Sequence, residues 1–193
     1  MKVVIIKYNA GNVRSVDIAL QRLGITATLS DSAEEIKAAD KVIFPGVGAA
    51  GNAIQYLKRN RLDKVIRELT QPVLGICLGM QLLCSYSEED NTDCLGIFPQ
   101  RVKRFTDAVK TPQVGWNNIS ELRSTLFNGI KEFEYMYFVH SYYADVSEYT
   151  IASTNCNYAY SAALQKDNFY AVQFHPEKSG TVGAQLLKNF IEL

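Results

Sequence analysis

The chain has 193 residues and a mass of 21.6 kDa, enough for one domain with a continuous buried core and too little for two large ones. Twenty Lys and Arg balance twenty Asp and Glu, which leaves no field of either sign to draw in nucleic acid or an anionic membrane. With 47% hydrophobic and 21% charged residues the composition is that of a folding chain. No apolar run approaches the ~20 residues of a bilayer span, and the short opening run Val3–Ile6 carries no cleavage site, so a cytoplasmic location is expected.

Strand and helix periods alternate along the first half. Val3–Ile6 is a continuous buried-strand pattern, followed by Val16, Ala19, Leu20 and Leu23 on one helical face, with Gly24 as the stop. Ala27-Thr28-Leu29 gives a second short strand, Asp31-Ser32 ahead of Glu34-Glu35 opens a short helix, and Lys41-Val42-Ile43-Phe44 makes a third strand ending at Pro45. Residues 49–69 read as one helix. A fourth strand, Val73-Leu74-Gly75-Ile76, runs into Cys77 and an apolar helical stretch with Leu78, Leu82 and Leu83. Beyond residue 96 strand follows strand, at 101–105, 114–116, 135–139, 150–152 and 169–174, before a closing helix over 182–193. Eight of the eleven tyrosines lie beyond residue 130, as suits strands. The expected fold is α/β: a mostly parallel central sheet with helices on both faces and additional, partly antiparallel strands in the C-terminal half, all in one domain spanning 1–193.

The cysteines Cys77, Cys84, Cys94 and Cys156 form no C-x-x-C pair, and the chain has only two histidines, His140 and His175. No metal site is expected, and the thiols should be reduced. Gly75-Ile76-Cys77-Leu78-Gly79 has the spacing of a nucleophile elbow with cysteine in place of serine. On a sharp strand-to-helix turn the flanking glycines avoid collisions, the helix start favours thiolate, and the Leu78 N–H faces a developing oxyanion. A small buried cysteine at a glycine-softened strand end is the plainer alternative. His175-Pro176-Glu177 follows the 169–174 strand, so the imidazole emerges at a strand end with a carboxylate close enough to orient it. His140 also stands at a strand end, but its nearest carboxylate on that side is Asp145, and His175 is the preferred base. Phe44-Pro45-Gly46-Val47-Gly48 ends a strand with peptide N–H groups free to turn toward an anion, or is an ordinary turn.

Together, the elbow running on through Met80-Gln81, the turn Pro45-Gly46-Val47-Gly48 and His175-Pro176-Glu177 resemble the class I glutamine amidotransferases, which hydrolyse the glutamine amide through a Cys-His-Glu triad. Gly115-Trp116-Asn117, His140-Ser141-Tyr142, Lys178-Ser179-Gly180 and the opening Tyr8 with Gly11-Asn12-Val13-Arg14-Ser15-Val16 are similar to the glutaminase subunits of imidazole glycerol phosphate synthase, in histidine biosynthesis. The resemblance implies Cys77 as nucleophile, His175 as proton shuttle and Glu177 as its holder. It implies an oxyanion hole from the Leu78 N–H and, after a peptide rearrangement, the Val47 N–H. Gly48, Gln81, Ser141 and Tyr142 would bind glutamine, and Asn12, Trp116 and Lys178 would face a separate (β/α)8-barrel cyclase that receives the ammonia. No cofactor is implied.

Two positions depart from the family's usual pattern: Lys7-Tyr8-Asn9 stands where Asp-Tyr-Gly is commoner, and Ala50 where an aromatic often follows the glycine turn. Rival expectations are an amidotransferase of the same fold serving anthranilate, purine, vitamin B6 or surface-sugar synthesis, and a non-catalytic flavodoxin-like protein with an oxidisable Cys77. The last leaves Gln81 and Glu177 without a role.

Overall fold

The computed structural model describes residues 1–8, 11–106 and 109–193; Asn9, part of the departure at the chain's opening, lies outside them. The elements of the first half are β1 (Val3–Ile6), α1 (Val13–Arg22), β2 (Ala27–Ser30), α2 (Ala33–Lys37), β3 (Lys41–Gly46), α3 (Ala50–Arg59), α4 (Leu62–Arg67), β4 (Val73–Cys77) and α5 (Leu78–Leu83). The second half adds β5 (Tyr86–Ser87), β6 (Thr92–Asp93), β7 (Arg101–Arg104), β8 (Gln113–Asn118), β9 (Tyr135–His140), β10 (Tyr142–Ala144), β11 (Thr150–Cys156), β12 (Tyr158–Lys166), β13 (Phe169–Val172) and α6 (Gly180–Glu192).

Seven strands make the central sheet in the order β11-β12-β13-β4-β3-β1-β2. From β2 to β13 the pairs are parallel, and the β13-β12 and β12-β11 pairs are antiparallel. Successive residues of the inner strands point to opposite faces, as a period of two requires. Val4, Ile6, Val42, Phe44 and Val73 pack with Ile36, Ile54, Leu57, Ile66 and Leu82, from α2 to α5. Val3, Ile5, Ile43, Leu74 and Ile76 pack with Val16 and Leu20 of α1 and Leu186, Leu187 and Phe190 of α6. Both faces of the inner parallel strands are therefore covered, which is why β1, β3 and β4 are buried along their length, whereas the edge strand β2 is partly exposed.

Several boundaries differ from expectation: β8 spans 113–118, β11 runs on to 156, β13 ends at Val172 rather than 174, and the closing helix begins at Gly180. The 49–69 stretch is not one helix, because Arg61 takes a left-handed conformation (φ 58°) between α3 and α4 and breaks the hydrogen-bond ladder. The third strand does not end at Pro45 but pairs on to Gly46, opposite Cys77. Outside the main sheet, β8 and β9 form an antiparallel ribbon, and β10, β7, β5 and β6 form a second small sheet. The tyrosines of this half build an aromatic cluster in which Phe105 lies 4.8 Å from Tyr143 and 5.4 Å from Tyr160. Among the described residues no helix is long and apolar enough to cross a membrane.

Candidate active site

β3, β4 and β13 are adjacent and parallel, so their C-terminal ends open on one edge of the sheet, where ligands of open α/β sheets gather. Gly46 ends β3, Cys77 ends β4, and His175 follows β13. Cys77 takes φ 54° and ψ −107°, a backbone conformation rare for a residue with a side chain and characteristic of a strained nucleophile elbow. The glycine spacing has the expected steric cause. A Cβ on Gly79 would stand 1.8 Å from the Phe44 carbonyl oxygen, and one on Gly75 would stand 2.7 Å from a Leu83 methyl. The first obstacle is backbone and cannot rotate aside. Gly79→Ala is accordingly expected to destabilise the fold by more than the ~1–3 kcal/mol of ordinary overpacking; thermal unfolding checks it, and an unchanged transition would remove close packing as the reason for this glycine.

His175 and Glu177 are folded back on each other. Nδ1 of His175 lies 2.7 Å from Glu177 Oε1, with both side chains at 1% exposure or less. The His175 N–H of the backbone donates to the Tyr137 carbonyl at 2.8 Å, which anchors the ring to β9. Nε2 has no well-aligned hydrogen-bond partner, leaving it for a reacting group. Burial works against a charged ring, but hydrogen bonding and charge from Cys77 and Glu177 outweigh it and push His175 up to about 9. The proton thus stays on this ring across the neutral range.

His140 is differently placed. Its Nδ1 sits 2.7 Å from the Tyr142 carbonyl and its Nε2 3.1 Å from the Tyr160 hydroxyl, and burial brings it down to about 4. Asp145 pairs with Lys103 and leaves His140 without a carboxylate. A neutral ring with both nitrogens engaged is a wall of the site rather than its base.

A cavity of about 220 Å³ opens over Cys77, lined by Val47, Gly48, Leu78, Gln81, Ser141 and Tyr142, all anticipated, together with Glu89, Pro112, Val139 and His140. As first residue of α5, Leu78 has an N–H with no partner inside the helix. Gly48 has φ +115°, which requires glycine. Gly46 is glycine for another reason: a Cβ there would fall 2.0 Å from the Tyr8 hydroxyl. Both protons of the Gln81 amide are committed, to the Tyr142 carbonyl and to Gln173, each at 3.0 Å, so Gln81 can offer a ligand only its acceptor oxygen.

Glu89 was not anticipated. Its Oε2 accepts the Ala50 N–H at 2.8 Å, and burial raises its carboxyl above the usual range. A half-buried carboxylate on the wall of a small cavity is a counter-charge for an ammonium group. The acidic run Glu88-Glu89-Asp90 is in the sequence, but only the fold turns its second member inward.

Asn12, Trp116 and Lys178 do not line the cavity. Asn12 Nδ2 donates to Glu177 Oε1 at 2.6 Å, behind the triad. Trp116 is 55% exposed and stacks edge-on against Tyr137 at 5.8 Å, and Lys178 is exposed beside Glu177. All four cysteines are free thiols. Among the described residues no group of three or more His, Cys, Asp or Glu is placed to hold a metal ion.

The family model for class I glutamine amidotransferases matches residues 4–193. Over its full length the chain is 60% identical to the imidazole glycerol phosphate synthase subunit HisH of Bacteroides fragilis and 50% identical to that of Pectobacterium atrosepticum, covering all of each. Among solved structures, a glutamine amidotransferase superposes with a TM-score of 0.74 at 20% identity, over 100% of this chain and 98% of that one. PurLQS from Thermotoga maritima does so with 0.74 at 13% identity, over 99% and 97%.

Proposed function

The chain belongs to the class I glutamine amidotransferases, and from that premise we propose that it works as the glutaminase subunit of an imidazole glycerol phosphate synthase. What supports this reading is Cys77 in the wall of a cavity the size of a free amino acid, with the buried His175–Glu177 pair following the neighbouring strand, in a chain alike to synthase subunits from end to end.

In this reading Cys77 attacks the side-chain carboxamide carbon of glutamine, and the tetrahedral oxyanion is received by the Leu78 and Val47 N–H groups. His175 Nε2 gives its proton to the departing nitrogen. Ammonia leaves, a thioester remains on Cys77, and water activated by the same ring releases glutamate. Glu177 keeps the ring oriented and its charge stabilised. Glu89 and the Gln81 oxygen suit the α-ammonium group, while Ser141 and Tyr142, where β9 turns into β10, hold the α-carboxylate. The ammonia passes to a (β/α)8-barrel cyclase bound at the face carrying Asn12, Trp116 and Lys178, and the whole chain acts as one amidotransferase domain in the cytoplasm, where its four thiols stay reduced.

Mixing the chain with such a cyclase, glutamine and the cyclase's phosphoribulosyl formimino carboxamide nucleotide is expected to yield glutamate and imidazole glycerol phosphate. Glutamate without the imidazole product would point instead to a surface-sugar relative. In the same assay His175→Ala should abolish turnover and His140→Ala should leave much more of it; equal losses would mean that the base is misassigned. Glu177→Gln is expected to lose about ten- to a thousand-fold, since an orienting group contributes less than the nucleophile.

A further inference from the structure

Gln173 stands one residue beyond the end of β13, and the register Val172↔Ile76 sets it beside Cys77. Its side chain is fully buried, so its amide must find donors and acceptors inside the protein. The orientation of that amide follows from its neighbours. A backbone carbonyl can only accept, so Gln81, 3.0 Å from the Tyr142 oxygen, must present its NH2 group there. The second proton of the same NH2 points to Gln173, 3.0 Å away, which must answer with Oε1. The NH2 of Gln173 is then left facing Cys77 Sγ at 3.7 Å. Opposite it, the Val139 carbonyl lies 3.7 Å from the sulfur, an acceptor for the proton of a neutral thiol.

We propose that Gln173 is a positioning residue for the nucleophile: held by Gln81, its amide donates a hydrogen bond to the Cys77 sulfur that steadies it and favours thiolate over thiol. A bond to a charged acceptor is stronger than one to a neutral acceptor, so the amide discriminates between the two forms, while the Val139 carbonyl favours only the thiol. The use made of the thiolate rests on the glutaminase assignment; the bond itself needs no substrate. The other titratable groups around the sulfur are His175, Tyr8 from β1's end of the sheet, and His140 and Glu89 across the cavity.

The test is the pH dependence of Cys77 alkylation by iodoacetamide in the isolated full chain, followed by mass spectrometry of the Cys77 peptide. In Gln173→Met the pH of half-maximal rate should rise by about one unit. Gln173→Glu keeps the acceptor for Gln81 but offers the sulfur a negative charge in place of a proton, and should raise it further. In the unsubstituted chain the side-chain amide resonances of Gln173 should shift through the Cys77 titration and lose that shift in Cys77→Ser. A parental profile in a folded Gln173 variant, or amide resonances indifferent to the sulfur, overturns the proposal. Neither measurement involves glutamine turnover, so it can fail while the glutaminase assignment stands, and the reverse.

Discussion

Cys77→Ala is expected to abolish glutamine-dependent synthesis by the assembled enzyme while synthesis from added ammonia survives. In the proposed mechanism the Cys77 sulfur forms the thioester, and its strained elbow sets it in the wall of the cavity. His140 cannot substitute, with both ring nitrogens engaged and its charge suppressed by burial. Ammonia, by contrast, enters the reaction after this chain's contribution ends. Both rates are measured on one preparation of the complex, with glutamine or an ammonium salt as nitrogen source. Retained glutamine-dependent activity in Cys77→Ala would sink the triad; loss of the ammonia-dependent rate as well would show that the substitution had damaged the complex rather than the chemistry. Cys77→Ser should behave like Cys77→Ala, because a hydroxyl beside the same imidazolium is a far weaker nucleophile than a thiolate.

The inner strands of the parallel half were legible because they are buried on both faces and therefore read as near-continuous apolar runs. β1 and β4 are cases where an unbroken apolar run and its length agree. β12 was not anticipated, although it is the longest of the described strands: Ala159, Ala162 and Ala163 dilute the strand signal of Tyr158–Lys166, and it is extended because β11 and β13 hold it on either side. The break at Arg61 left no mark either, since a left-handed non-glycine residue is decided by packing of α3 against α4. The site divides along the same line. Cys77, His175 and Glu177 sit in short motifs whose local backbone fixes their relation to an element. Glu89 and Gln173 act through neighbours 39 and 96 residues away. A glutamine between Val172 and Phe174 in a buried run was a visible anomaly, but its partner could be named only once β13 lay beside β4.

The isolated chain is expected to be nearly silent as a glutaminase and to be switched on by its cyclase partner, most strongly when that partner holds its nucleotide. In the proposed mechanism one oxyanion donor is the Leu78 N–H at the start of α5, and the other belongs to the turn of Val47 and Gly48, which lies at the surface and carries a glycine at φ +115°. Withholding one such donor costs ~3 to 4 kcal/mol, about a hundred- to a thousand-fold in rate, without disturbing the triad. The surroundings of the turn supply the route. Gly11 is packed so closely on Val47 that a Cβ would lie 2.9 Å from its methyl, and the next residue, Asn12, bonds Glu177. Exposed Trp116 rests on Tyr137, whose carbonyl holds the His175 backbone. A partner pressing on this face therefore meets residues one contact from the oxyanion turn and from the base. Glutamine hydrolysis and complex affinity are measured with the cyclase titrated into the parent, Trp116→Ala and Lys178→Ala. The parent should rise by about a hundred- to a thousand-fold, and the variants should bind or respond less. Full hydrolysis by the chain alone would mean that the turn is already set for the oxyanion, and variants that bind and respond like the parent would move the switch to another face.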